Sequence, residues 1–298
     1  MSFSLETKME AAAFPMKKNC CRRAFINGVL MFGAEYSDND ISLYVESAAI
    51  AEICSKIIKE QFGRDATVDK TGKRGVLLMQ FSSKSAAEFL STSKDALDTS
   101  KMFKCEECTA SFLRGVFVGG GTVNEPNKKN YHFELGSRLP LEISQIVELF
   151  EESGFSLKIS NRLKNPSAYT KESGVIGDIL FFLGSTRQAF EFMNAKINHE
   201  IKNDINRRTN CETSNIARST ASAAKHIAAI KYLADHGRLS ELGPELEYTA
   251  EMRLRYPEMS LVQLGQAMTP AVSKPGLYHR LEKICAFSEN IKNKETQI

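Results

Sequence analysis

The chain has 298 residues, 42% apolar and 25% charged, with a net charge of +3. That length suits two domains of roughly 100–200 residues each, with the composition of an ordinary soluble globular protein. The longest apolar runs, residues 76–79 and 179–183, fall far short of the ~20 residues a membrane helix needs. The first ten residues mix charges with apolar side chains and lack an apolar signal core, which argues against secretion and for the cytoplasm. Seven cysteines, odd in number and scattered, fit a reducing compartment better than a disulfide framework. A charge of +3 does not by itself point to nucleic acid, so a DNA partner would require the basic residues to be clustered locally.

In chain order, the first clear element is a helix rich in glycine and apolar residues over 23–34, with Gly28 and Gly33 inside it. A strand is expected over 41–45, then a helix over 47–62 with Ile50, Ile53, Cys54, Ile57 and Ile58 on one face. A strand near 66–69, a Thr-Gly-Lys-Arg-Gly turn, a strand over 76–81 and a short helix near 85–90 complete the unit. A second glycine helix spans 111–121, with Gly115 87 residues after Gly28. It is followed by a strand over 131–135 and a helix near 141–152 carrying Ile143, Ile146, Val147 and Phe150 on one face. Strands around 156–163 and 168–172 and a helix near 175–183 follow. Both halves therefore read helix, strand, helix, strand, strand, helix, which is a tandem duplication. A glycine inside a helix costs about 1 kcal/mol relative to alanine. Two at matching places predict that the two helices pack together with close backbone approach.

This pair of helices resembles the LAGLIDADG motifs of homing endonucleases. There the two helices form the interface between pseudo-symmetric halves, each with a saddle-shaped sheet over DNA, and an acidic residue near each helix end holds the catalytic Mg²⁺. Aligned on Gly28 and Gly115, those metal positions fall on Gly33 and Gly120, and neither carries a carboxylate. Phosphodiester cleavage through Mg²⁺ needs oxygen ligands, so the resemblance implies a degenerate, non-catalytic domain. Glu35 and Glu125 are the nearest acidic substitutes.

Residues 196–226 are polar and contain Asn203, Asn206, Arg207, Arg208, Asn210, Asn215 and Arg218 without proline or glycine. Helices bridging two domains are expected there. From Pro257 a helix-turn-helix pattern appears. Ser260 is placed to cap a helix in which Leu261, Leu264 and Met268 share a face. Residues 269–272 break it. Ser273 then caps a second short helix with Pro275 in its first turn and Leu277, Leu281 and Ile284 as the buried stripe. The rest of its surface offers Lys274, Tyr278, His279, Arg280 and Lys283, a composition suited to phosphates and base edges. Ser273, Lys274, Tyr278, His279, Arg280 and Lys283 are the candidate DNA-binding residues.

Residues 254–258, Ser260-Leu261, Leu264-Gly265 and the run from Ser273 to Leu281 resemble the helix-turn-helix of the bacterial WhiA family. Ser2-Phe3-Ser4, Leu113-Arg114-Gly115, Tyr131-His132-Phe133-Glu134 and Asn210-Cys211-Glu212 are similar to that family's signatures as well. Tyr278 departs from it, standing where the family usually has a small polar residue. The resemblance implies an α+β fold, with a pseudo-symmetric LAGLIDADG-like domain over 1–194 (repeats about 19–95 and 105–190). A helical linker over 195–226 and an all-α helix-turn-helix domain over 227–298 would follow. It implies a sequence-specific transcriptional regulator linked to sporulation or to cell division and chromosome segregation. Double-stranded DNA would be its partner, with RNA polymerase or another transcription factor as a further one. No cofactor, metal or membrane role is implied, and the expected place is the nucleoid in the cytoplasm.

Other motifs carry less. Cys105-Glu106-Glu107-Cys108 has metal-ligand spacing, but a structural zinc needs four ligands; along the chain Cys20-Cys21 and the distant His132 make a poor complement. The glycines from 115 to 121 lack a Walker lysine and do not follow a strand. Two other functions stay open on the residues. One is a residual Mg²⁺-dependent endonuclease; the other is a cell-division scaffold docking proteins on the degenerate domain.

Overall fold

A serine at the second position begins the fold. In the computed structural model, which describes residues 1–72, 75–93, 95–126, 130–161 and 165–295, the Ser2 hydroxyl accepts from the Leu5 amide at 3.3 Å. It caps helix α1 (Phe3–Ala13), an element the sequence reading did not anticipate. Its buried Lys8 pairs with Glu46 at 3.0 Å.

Two homologous halves follow. The first comprises α2 (Asn19–Gly33), β1 (Ala34–Ser37), β2 (Asp40–Val45), α3 (Ala48–Phe62), β3 (Thr67–Lys70), β4 (Leu77–Ser82) and α4 (Lys84–Ser93). After the short helix α5 (Thr99–Met102), the second comprises α6 (Glu107–Gly120), β5 (Gly121–Val123), β6 (Phe133–Gly136), α7 (Ser144–Glu152), β7 (Lys158–Ser160), β8 (Ser167–Thr170) and α8 (Ser173–Phe182). Each half folds into a four-stranded antiparallel sheet, in the orders β1-β2-β4-β3 and β5-β6-β8-β7. Each half thus has one strand more than expected. The extra strands, β1 and β5, leave the glycine helices without a loop and are only four and three residues long. Too short to show an alternating pattern, they are strands because a neighbour pairs with them: Ala34 lies opposite Leu43, and Gly121 opposite Leu135. Part of the strand expected over 156–163, and Lys73 and Arg74 of the expected turn, lie outside the described residues.

The helices α2 and α6 pack along each other at the centre of this unit. Around them lies one continuous core in which Phe25, Phe32, Phe112, Phe117, Phe133 and Phe150 are fully buried. Inward strand positions such as Ile41, Leu43, Met79, Phe133 and Leu135 face it, while Ser42, Gln80 and Thr122 turn outward, the two-residue alternation of a sheet with one buried face.

The chain divides into two compact units, residues 1–201 and 202–298. The polar stretch expected to bridge domains is part of one continuous helix, α9 (Thr186–Asp235), as the lack of helix breakers allows. The second unit continues with a 3₁₀ turn (Leu239–Leu242), α10 (Pro244–Arg255), α11 (Leu261–Ala267) and α12 (Lys274–Glu295). Its core gathers Ile230, Leu233, Ala250, Leu264, Met268, Leu277, Leu281 and Ile284. The second helix of the pair, expected to be short, runs 22 residues, because nothing in its sequence after Pro275 stops it and Phe287 and Ile291 extend its buried stripe.

Candidate nucleic-acid interface

The two positions where the resemblance would place metal ligands, Gly33 and Gly120, are the last residues of α2 and α6. A Cβ on Gly33 would sit 3.0 Å from the Gly119 carbonyl oxygen and 3.0 Å from Leu43 Cδ1. One on Gly120 would collide with the Gly136 carbonyl oxygen and crowd the Phe32 side chain at 3.1 Å. The backbone therefore closes the Gly120 position to a carboxylate and leaves the Gly33 position tight, open to a side chain only if its neighbours give way. Glu35, the nearest substitute, lies 3.5 Å from the guanidinium of Arg138, which also stacks at 4.1 Å over the Tyr44 ring.

The outward positions of the first sheet carry Glu35, Asp40 and Asp69 among Ser37, Ser42, Tyr44, Gln80 and Thr67. Arg138 offsets Glu35 on this face, and Asp40 and Asp69 remain to disfavour phosphate there. On the second sheet, Glu134 accepts from Ser167 at 2.7 Å and lies 3.1 Å from His132 Nε2. Partial burial pushes its carboxyl up, but the hydrogen bonds from Ser167 and His132 outweigh that and hold it below its ordinary value. Tyr169, with Lys171 over its ring at 5.8 Å, borders this cluster.

The second unit is built differently. Ser260 and Gln263 form a capping box at the start of α11: the Ser260 hydroxyl accepts from the Gln263 amide at 3.3 Å, and the Ser260 amide donates to Gln263 Oε1 at 3.0 Å. The turn folds back tightly, with the Val272 amide donating to the Gly265 carbonyl at 2.9 Å. A Cβ on Gly265 would strike the Val272 carbonyl oxygen, so this close approach requires glycine. The Ser273 hydroxyl accepts from the Gly276 amide at 3.3 Å, acting as a cap on α12.

Leu277, Leu281 and Ile284 are fully buried beneath α12. At 3.6 residues per turn His279 and Lys283 lie opposite that stripe, with Tyr278 and Arg280 on its two flanks and Lys274 at the first turn. Lys274, Tyr278, His279 and Lys283 are exposed, and the Tyr278 and His279 rings meet edge to face at 6.0 Å. Arg280 differs: it is half-buried and ion-paired with Glu245 of α10. Glu282 of α12 pairs with Lys225 at 3.5 Å and lies 3.6 Å from His226, both on α9. The fold thus gathers five of the six candidate residues, Ser273, Lys274, Tyr278, His279 and Lys283, at one accessible end and face of α12 and holds Arg280 aside.

Sequence reasoning overlooked Glu245, which is acidic in the first turn of a proline-initiated helix; only its meeting with Arg280 makes it matter. It also set apart Cys20 and Cys21 from Cys105 and Cys108, which the fold brings together.

These elements define a LAGLIDADG-like tandem domain joined to a helical unit with a helix-turn-helix, and comparison with known proteins agrees. The model of the WhiA LAGLIDADG-like domain matches residues 109–202, and that of the WhiA C-terminal HTH domain matches residues 205–288. A probable cell division protein WhiA of Desulforamulus reducens is 30% identical over 98% of this chain and 97% of its own length. The protein of that name from Bacillus cereus is 29% identical over 100% and 99%. The chain belongs to the WhiA family. The crystal structure of full-length WhiA from Thermatoga maritima shares the fold, with a TM-score of 0.62 at 21% identity, covering 97% of this chain and 99% of that one.

Proposed function

We propose that this chain is a sequence-specific, double-stranded-DNA-binding regulator that does not cut DNA. The observation that carries the proposal is α12: a buried apolar stripe opposite an accessible face of Lys274, Tyr278, His279 and Lys283, capped at Ser273 and set behind the tight Gly265 turn. Lysines supply phosphate attraction, while a histidine opposite the core and a tyrosine on its flank can reach base edges. On this reading residues 1–194 form the degenerate LAGLIDADG-like domain, 195–226 the helical linker and 227–298 the DNA-binding domain. The protein works at the nucleoid in sporulation or in cell division and chromosome segregation, with RNA polymerase or another transcription factor as its protein partner. It needs no cofactor for this. A gel shift on genomic fragments with and without Mg²⁺ tests it: a sequence-selective shift without cleavage supports it, and cleaved product or no shift overturns it.

A second reading has its own support. The acidic outward face of the first sheet, with Glu35, Asp40 and Asp69, suits a protein partner better than DNA. The LAGLIDADG-like domain then serves as a docking platform for a division protein. Mapping DNA crosslinks on the full chain tests it: crosslinks confined to the second unit agree with docking, and crosslinks on the first sheet refute it.

A further inference from the structure

At the end of the α2–α6 pair away from Gly33 and Gly120, four cysteines from two distant segments converge. Cys20 and Cys21 stand in the first turn of α2; Cys105 precedes α6 and Cys108 lies in its first turn. The Cys105 sulfur lies 3.6 Å from that of Cys20, 3.5 Å from that of Cys21 and 3.6 Å from that of Cys108. All four sulfurs fall within 4.8 Å of one another. None is in a disulfide.

We propose that Cys20, Cys21, Cys105 and Cys108 form a structural site for one thiophilic divalent metal ion, zinc, that clamps the two halves of the LAGLIDADG-like unit together. The distances select a single four-coordinate ion, and zinc is the ion that structural four-cysteine sites hold. Four sulfurs at about 2.3 Å from zinc stand about 3.8 Å apart along the edges of a tetrahedron. The three short separations here, 3.5–3.6 Å, nearly match that edge without rearrangement. An iron–sulfur cluster places inorganic sulfide and more than one iron between its cysteines, and a cage only 4.8 Å across has no room for them. A disulfide would need two sulfurs drawn in to about 2.05 Å and would leave the other pair unused.

The surroundings favour a charged tetrathiolate. Binding releases the thiol protons and leaves a net negative centre. The N-termini of α2 and α6 both point their amide dipoles at it. Against these stands the Glu107 carboxylate, 3.7 Å from the Cys21 sulfur, whose charge Lys18 offsets by pairing with it at 3.5 Å. Cys21 and Cys108 are buried, while Cys20 and Cys105 are half-exposed, so the ion has a route in and a closed floor. The glycine contacts hold the helix pair along its length, and the metal would fix its open end.

The test uses the full chain purified under reductant. Elemental analysis should find one zinc per chain. After stripping, titration with Co²⁺ should give a thiolate-to-cobalt charge-transfer band and intense visible bands of tetrahedral geometry, saturating at one equivalent and displaced by zinc. Cys20→Ser and Cys105→Ser should each lose most of the bound metal, and Cys211→Ser, an exposed cysteine on α9, should keep it. Zinc should raise the melting temperature of wild type but not of Cys105→Ser. If either variant fails to fold, the cobalt spectrum of wild type alone decides. No metal and no tetrathiolate spectrum in folded, reduced wild type overturns the proposal. So does metal retained at full stoichiometry in both cluster variants, or a disulfide between these cysteines in protein kept reduced.

Discussion

Gly28 and Gly115 face the same feature on opposite helices. A Cβ on Gly28 would collide with the carbonyl oxygen of Phe112, and one on Gly115 with that of Phe25, in each case the residue three positions before the partner glycine. The duplication is thus written into the backbone contact itself. Gly115→Ala and Gly28→Ala should each overpack it, at a cost of about 1–3 kcal/mol, and lower the melting temperature by about 2–12 °C for a unit of this size. Gly136→Ala, where a Cβ meets open space, serves as the control. Thermal unfolding of the three variants side by side checks this, and equal melting temperatures would refute the glycine contact as the reason for the residue.

Supercoiled plasmid incubated with the protein and Mg²⁺ or Mn²⁺ should remain intact. Restoring acids by Gly33→Asp and Gly120→Asp together should destabilise the protein without creating cleavage, because a side chain at position 120 collides with the Gly136 carbonyl and one at position 33 is crowded by Gly119 and Leu43. Nicking by wild type that disappears in Glu35→Ala would show that the residue beside Arg138 substitutes for the missing ligands.

On DNA, Lys274→Ala and Lys283→Ala should weaken specific and scrambled duplexes alike, each lowering the salt dependence by about one unit of slope. His279→Ala should cost about 1–3 kcal/mol on the specific site alone. Titrations at several salt concentrations separate the two behaviours. A uniform loss for His279→Ala would remove it from base reading.

Arg280 is held by Glu245 in the free protein. If it reads a base, Glu245→Gln should leave it free and bind the specific duplex at least as tightly as wild type. Arg280→Ala should then lose about 1–3 kcal/mol on that duplex. Wild-type affinity in Arg280→Ala, accompanied by a lower melting temperature, would make the arginine a strut between α10 and α12 instead.

The second unit should lose stability in acid. His226 is buried, and its Nδ1 meets no hydrogen-bond partner among the described residues. Burial, and then the charge of Arg253, lower its pKa; Glu282 pulls the other way and Lys225 adds to the lowering. Ser222 and Cys285 complete the groups that face it. The unfolded chain protonates this imidazole near its ordinary value of 6.5, and the folded chain only at lower pH. Between those values unfolding takes up a proton, so stability is full above about 6.5 and declines as pH falls. Urea midpoints at about pH 7.5 and pH 5.5 should differ more for wild type than for His226→Gln. An identical pH dependence in both would exclude His226 as the cause.

Periodicity and composition alone determined the duplicated helices and the helix-turn-helix with its caps at Ser260 and Ser273, and the resemblance to the LAGLIDADG motifs located the missing carboxylates at Gly33 and Gly120. Each of these is a local property of the chain: a 3.6-residue stripe, a capping side chain, a residue type at a place. What only the tertiary structure decided joins residues far apart in sequence. β1 and β5 exist through their pairing partners, and Arg280 is withdrawn by a carboxylate on another helix. Cys20 meets Cys105 across 85 positions because the glycines let two helices run side by side from end to end. No window of sequence contains that meeting. It follows from the packing of two backbones, which sets the sulfur distances and so determines whether a metal fits.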